Sequence, residues 1–205
     1  MRADSLESRR KIIREAAVLL YSGEEKEYKQ AKLKAAETFG AHFLPSNLEV
    51  ALELDRIAEE NEGPARLERL VRMRREALRI MRIVRAYNPL LLGSVWRGTI
   101  HRGSDIDIVV QHDEPAIILE MLRESRLRVV QSEWVAVTKK GKKKGSFHVH
   151  VESPIGEEVE IKVTSPTEAC RRIKCEIYGD DITGLDIQQL EKLLEEDPLK
   201  RFVPS

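Results

Sequence analysis

Cysteine is almost absent. The 205-residue chain has two, Cys170 and Cys175, in the segment CRRIKC, with no cluster of ligand residue types beside them. That excludes a disulfide framework and argues against a zinc site; the expectation is packing on a helix or exposed thiols. Neither sign of charge is in surplus, since 35 Lys and Arg balance 35 Asp and Glu. No bulk basicity therefore advertises nucleic acid, and such a site would need local segregation of charge. No apolar run reaches the roughly 18 residues of a membrane-spanning helix, and the start, MRADSLESRRKII, has no apolar stretch of the kind signal peptides carry. The expected location is the cytoplasm, with no membrane partner. Asn, Gln and Met are few against many Glu, Lys and Arg, a balance that suits a heat-adapted source. No internal repeat is visible.

What remains is ample for a core: 41% of residues are hydrophobic and 34% charged, which fits a soluble globular chain of one domain with an appendage, or two small units. The first part has helical periodicity. Ile12, Ile13, Ala16, Ala17, Leu19 and Leu20 give residues 5–21 a broad apolar side, and Gly23 separates them from a second helix expected over 24–39. Ser46 with Glu49 forms a capping-box pattern that starts a third helix near Asn47. Gly63-Pro64 breaks it, and a long fourth helix runs to about Tyr87, with Leu67, Leu70, Met73, Ala77, Ile80, Met81 and Val84 on one side.

From Leu90 the pattern changes to short apolar runs between glycine-bearing turns. The boundary is expected near residue 86, dividing a helical unit, 1–86, from a second unit, 87–205. Strands are expected over 90–92, 106–111, 127–138, 147–152 and 159–164, with a helix over 115–125 between the second and third. Helices over 166–176 and 186–196 finish the chain. The tract KKGKKK, Lys139 to Lys144, reads as a hairpin tip.

The informative segment is LLGSVWRGTIHRGSDIDIVV, Leu91 to Val110. A strand delivers Gly93-Ser94, ten residues intervene, and a second strand opens with Asp105-Ile106-Asp107. Residues i and i+2 share a strand face, so the two aspartates project together while Ile106 and Ile108 point into the core. Adjacent carboxylates repel unless cations sit between them, and oxygen ligands suit a hard divalent ion such as Mg²⁺ held jointly with a substrate phosphate. The Gly-Ser turn supplies the other half: a residue without a side chain lets phosphate approach backbone N–H groups, and the hydroxyl adds a donor.

This pattern resembles the polymerase-β-like nucleotidyltransferase superfamily, whose mark is a hydrophobic residue, Gly-Ser, a gap, then Asp-x-Asp between hydrophobics. The stretch GSVWRGTIHRGSDIDIVV is similar to those of minimal nucleotidyltransferases and of archaeal CCA-adding enzymes. The helical segments EYKQAKLKAAETFG and LPSNLEVA resemble stretches of other nucleotidyltransferase-like proteins and name no substrate. The resemblance implies an α+β fold, a helical N-terminal unit followed by a mixed sheet with helices on one side. It also implies two-metal transfer of a nucleoside monophosphate from an NTP, ATP or CTP first, to a hydroxyl, with Mn²⁺ able to substitute for Mg²⁺. Asp105 and Asp107 would hold the metals, and a third carboxylate would arrive from a later strand.

Strand alternation puts Glu158, Glu160 and Lys162 on one face and Val159, Ile161 and Val163 on the other. Glu160, in mid-strand where backbone pairing fixes its direction, is preferred to Glu158 beside the turn. Gly93, Ser94 and Ser104 are candidates for phosphate, and Arg97 and Arg102 for charge on the leaving pyrophosphate. Trp96 could stack a base, but packing on its own domain is the reading preferred. His148 and His150 share one strand face, opposite Phe147, Val149 and Val151, and read as plain exposed histidines and not as ligands. Arg72, Arg75, Arg79 and Arg82 form a stripe opposite the apolar side of the long helix, and Lys142 and Lys143 sit in the hairpin tract. Both are candidates for nucleic-acid phosphates, with a solvated surface as the alternative. Three acceptors stay open: an RNA or tRNA 3′ end, a protein side chain as in minimal nucleotidyltransferases of toxin-antitoxin pairs, and a small molecule. The reading from a different class is a non-catalytic nucleotide- or RNA-binding module of the same fold.

Overall fold

A computed structural model describes residues 2–125, 127–139, 142–169 and 173–204. Three helices come first: α1 (Arg2–Ser22), α2 (Tyr28–Thr38) and α3 (Asn47–Glu62). α2 starts four residues later than the periodicity suggests, because the stretch after Gly23 turns back on α1 and no side chain caps α2. The capping box forms at α3, where Ser46 accepts from the Glu49 N–H and Glu49 accepts from the Ser46 N–H at 2.8 Å. Arg9 of α1 forks onto the same carboxylate at 2.7 and 2.8 Å and, as the largest influence, holds Glu49 down at about 2. Ile12, Ala16 and Leu20 of α1 pack with Ala31, Ala35, Val50, Leu54 and Ile57; the alanines allow the helices to approach closely.

α4 (Pro64–Ile83) follows, ending in a short 3₁₀ turn (Arg85–Tyr87). Leu70, Met73, Ala77, Ile80, Met81 and Val84 belong to the core of the sheet and not to that of α1–α3. The two cores therefore divide at Gly63, one helix earlier than residue 86. Periodicity shows that a helix has an apolar side, but not which neighbour covers it.

β1 (Leu90–Leu91), α5 (Gly93–Arg97), β2 (Ile106–Gln111), α6 (Pro115–Glu124), β3 (Arg128–Lys139), β4 (Lys142–Glu152), β5 (Glu158–Thr164), α7 (Pro166–Ala169) and α8 (Ile187–Glu196) complete the chain. The fold is α+β, with a five-stranded mixed sheet in the order β1-β2-β5-β4-β3. β2 and β5 run parallel, and the other neighbours pair antiparallel. Ile106, Ile108, Val110, Val159, Ile161 and Val163 bury one face against α4, Ile118 and Leu122 of α6, and Leu190 and Leu193 of α8. The alternation that buries these residues turns Asp107, Glu160, Lys162, His148 and His150 to the other face.

Pairing of β3 with β4 runs out to Lys139 opposite Lys142; residues 140 and 141 of the expected hairpin tip lie outside the described residues. The helix expected over 166–176 does not reach 176: Pro166–Ala169 is helical, residues 170–172 lie outside the described residues, Lys174 bridges Asp181 in extended form, and Cys175 is half-buried with a free thiol. Cys170 lies outside the described residues.

Candidate active site

Gly93 is the hinge of the site. Leu92 is extended, Gly93 takes φ +67°, and α5 begins. The Leu92 N–H donates to the Asp107 carbonyl at 2.9 Å, which ties the turn to β2. A Cβ on Gly93 would lie 1.8 Å from Asp107 Oδ2, so the carboxylate occupies the space a side chain would need. Only glycine meets both demands.

In the parallel ladder Asp107 stands directly opposite Glu160, and Ile106 opposite Val159. Asp105, just before β2, has the same parity and is half-buried. Burial first, then the charges of Asp105 and Glu160, push Asp107 up to about 7. Burial likewise raises Asp105, with Glu160 and Glu158 adding to it. Glu158 is exposed and Glu160 half-buried. Among the described residues, no three His, Cys, Asp or Glu side chains gather closely enough to hold an ion by themselves.

Glu160 is engaged on its far side. His148 Nδ1 lies 2.6 Å from Oε1, Ser146 Oγ lies 2.7 Å from His148 Nε2, and His150 Nε2 is 3.8 Å from the same carboxylate oxygen. His148 is thus a half-buried, partnered residue and not the plain exposed histidine expected.

The loop between the two motif halves is held from α4 by arginines. Arg69 forks onto Glu157 at 2.6 and 2.9 Å and donates to the carbonyls of His101 (2.9 Å), Arg102 (3.3 Å) and Ser104 (3.0 Å). Arg66, also buried, donates to the Ile100 carbonyl at 2.6 Å and pairs with Asp55 and Glu59. Arg74, with no exposed surface, donates to the carbonyls of Val95, Trp96, Pro198 and Lys200 at 2.6–3.0 Å. Burial without a carboxylate in contact brings Arg74 down to about 10. Burial and the nearby charges of Arg69 and Arg66 bring His101 down to about 4.

Of the residues expected at the phosphates, Gly93 and Ser94 line the site with Asp105 and Asp107, and Arg102 is exposed at its rim. Ser104 Oγ accepts from the His101 N–H at 2.9 Å and so braces the loop. Arg97 is buried between the rings of Trp96 and Tyr178, forks onto Asp180 at 2.8 and 3.1 Å and donates to the Phe202 carbonyl at 2.8 Å. Its guanidinium is committed to the fold. Trp96 stacks on Phe202 with centroids 6.4 Å apart, which is the packing role preferred for it. In the helix stripe, Arg79 pairs with Glu76 and Arg82 with Glu191, while Arg72 and Arg75 are exposed. Lys142 and Lys143 stand in β4 opposite Lys139 and Thr138; their side chains lie outside the described residues.

Sequence reasoning missed Arg66, Arg69, Arg74 and the pair Ser146–His148. Arg74 did carry a signal, since it falls between Met73 and Ala77 inside the apolar stripe, where a charge needs partners. A cavity of about 1650 Å³ opens over the site, lined on the sheet side by Gly93, Asp105, Asp107 and Glu160 and on the helical side by Leu20, Tyr28 and Leu54. It exceeds the roughly 300–1,000 Å³ typical of a single small-molecule pocket.

The family model of the nucleotidyltransferase domain matches residues 64–176, more than half of the chain, and includes Gly93, Asp105, Asp107 and Glu160. No curated protein matches the chain. Among solved structures, the chain is similar to a cytoplasmic RNA terminal U-transferase (16% identity, 57% of this chain and 34% of that one, TM-score 0.30). It is similar to the GLD-2/RNP-8 complex (12% identity, 59% and 39%, TM-score 0.36). A third is terminal uridylyl transferase 4 from Trypanosoma brucei with bound GTP (18% identity, 58% and 37%, TM-score 0.30). The chain thus spans 34–39% of the length of these structures.

Proposed function

The chain belongs to the nucleotidyltransferase domain family, and from that premise we propose that it moves a nucleoside monophosphate from an NTP to a hydroxyl acceptor with Mg²⁺ shared between its carboxylates and the triphosphate. The observation that supports this most is the carboxylate of Asp107 lying on the backbone of Gly93 and directly opposite Glu160. A nucleophile's phosphate target and the acids that would serve it then share one small space.

The donor set fits a hard cation. It is all oxygen, and Asp105 and Asp107 are raised by burial and mutual repulsion, so a bound cation relieves what the folded chain alone leaves strained. Triphosphate oxygens would complete the coordination of an ion held by these carboxylates. Asp105, Asp107 and Glu160 would hold two Mg²⁺, for which Mn²⁺ can substitute. When bound, these ions supply charge neutralisation at the triphosphate and acidify the acceptor hydroxyl. The chain's own part is positional: Gly93 and Ser94 receive the outer phosphates, and Arg102 faces the charge of the departing pyrophosphate. Arg69 ties the loop that carries Arg102 to Glu157, just before β5.

The donor is ATP or CTP. The acceptor is an RNA or tRNA 3′ end, a protein side chain or a small molecule; the large cavity leaves room for it beside the NTP. Isothermal titration with a non-hydrolysable NTP tests the shared-metal reading. Affinity should fall at least about tenfold when EDTA replaces Mg²⁺, and equal affinity in both buffers would overturn it.

A further inference from the structure

We propose that His148, braced by Ser146, is the positioning residue that aims Glu160, an inference that rests on the reading of the site as a nucleotidyl-transfer centre. The antiparallel register of β4 and β5 sets His150 opposite Glu160 and His148 opposite Lys162, so His148 reaches Glu160 along the diagonal of one sheet face. The side chains of His148 and Glu160 are 13% and 25% exposed, sheltered enough for a hydrogen bond between them to matter.

The donor and acceptor roles follow from chemistry. A carboxylate only accepts, so the hydrogen facing Glu160 Oε1 belongs to His148 Nδ1 at 2.6 Å. In the neutral ring Nε2 is then a lone pair, and the Ser146 hydroxyl, 2.7 Å away, is a donor for it. Glu160 thereby sets the tautomer, and Ser146, whose hydroxyl is free to donate to Nε2, holds the ring angle.

The need for such a brace is specific to this strand. Glutamate has one more rotatable bond than aspartate, and Glu160 faces the negative charges of Asp105 and Asp107, which it raises in turn. Left alone it would swing away from them. With Oε1 fixed by His148, Oε2 is the oxygen that remains for the acceptor hydroxyl or an ion. His148 lines the same cavity as Asp107 and Glu160, and the role proposed for it is exerted through Glu160 and not on NTP or acceptor.

Steady-state turnover in Mg²⁺ with the parent, His148→Ala, His148→Asn, Glu160→Gln and the His148→Ala/Glu160→Gln double variant tests this. His148→Ala should lower kcat about 10- to 100-fold, the usual range for a residue behind a ligand, with KM for NTP within about twofold. Asparagine places an amide N–H near the position of Nδ1 and should recover most of the loss. In the Glu160→Gln background, His148→Ala should cost nothing further. An unchanged kcat in His148→Ala, no rescue by asparagine, or an equal loss in the Glu160→Gln background would each overturn the proposal. ¹⁵N imidazole shifts of the metal-free protein give a readout independent of turnover. They should show His148 protonated at Nδ1 with its resonance moved by Glu160→Gln, and an Nε2-protonated ring would overturn the proposal. A parent that transfers label to no acceptor would sink the functional reading and leave this NMR result to judge His148 alone.

Discussion

Replacing Gly93 by alanine separates two costs that are usually confounded. The first is backbone strain: at φ +67°, a residue with a Cβ is destabilised by about 1–2 kcal/mol. The second is local, because the new methyl would sit 1.8 Å from Asp107 Oδ2 and 2.8 Å from its Cγ, and the carboxylate must leave. Moving Asp107 costs little stability, since burial and two neighbouring acids already disfavour its charge there. The sum is therefore near the backbone cost alone, a fall in Tm of about 2–8 °C at about 2–4 °C per kcal/mol for a chain of this size. Turnover should respond far more: displacing a reacting group by about 1 Å can cost about 100-fold. Gly40→Ala is the control, with φ +60° and nothing within 4 Å of its Cβ; it carries the same strain and no displaced acid. Calorimetry and label transfer on both variants decide the matter. Similar Tm shifts with turnover lost only in Gly93→Ala is the expected result. Parental turnover in Gly93→Ala, or an equal loss in Gly40→Ala, would mean that the place of Asp107 beside Gly93 does not govern turnover.

Asp107 also makes stability depend on pH. Its native value near 7 lies above the ordinary 3.8, so the folded chain binds more protons than the unfolded one between those values, and metal-free stability falls as pH rises through that window. The difference is at most about 4 kcal/mol, and solvent screening reduces it. Asp107→Asn in EDTA should therefore match the parent near pH 4 and exceed it in urea unfolding at pH 8; a variant less stable than the parent at pH 8 would contradict this. Arg69→Ala should destabilise by about 2–4 kcal/mol, because it leaves Glu157 and three loop carbonyls without their shared donor. Arg69→Lys should restore little, having no fork to offer; a full rescue in thermal unfolding would show that charge alone is needed. If RNA is the acceptor and the helix stripe holds it, Arg72→Gln with Arg75→Gln should flatten the salt dependence of RNA binding by roughly two units, and an unchanged slope would return both to a solvated face.

What sequence could tell about this molecule was local. The capping box at Ser46 and Glu49, the parity of Asp105 with Asp107 and the alternation from Glu158 to Val163 are properties of neighbours in the chain, and the ladder pairing Asp107 with Glu160 agrees with them. Contacts between distant segments were not legible. Arg97 and Asp180 are far apart in sequence, as are Arg69 and Glu157, and no periodicity announces that an arginine will be taken by a distant acid instead of facing solvent or substrate. The side of α4 that covers the sheet was visible, but its partner was not, which is why the division of the cores moved to Gly63. His148 looked exposed because alternation assigns a face, while burial on that face depends on what β5 presents beside it.

Nucleotidyl transfer at the Asp105–Asp107 face is read out by incubating the protein with Mg²⁺ and each α-labelled NTP against RNA, total protein and a small-molecule extract in separate reactions. Label should enter one of the three pools and pyrophosphate should be released, with both lost in Asp107→Asn. If NTP binds but label enters no pool, or if Asp107→Asn transfers label as well as the parent, the account of this site as a nucleotidyl-transfer centre is wrong.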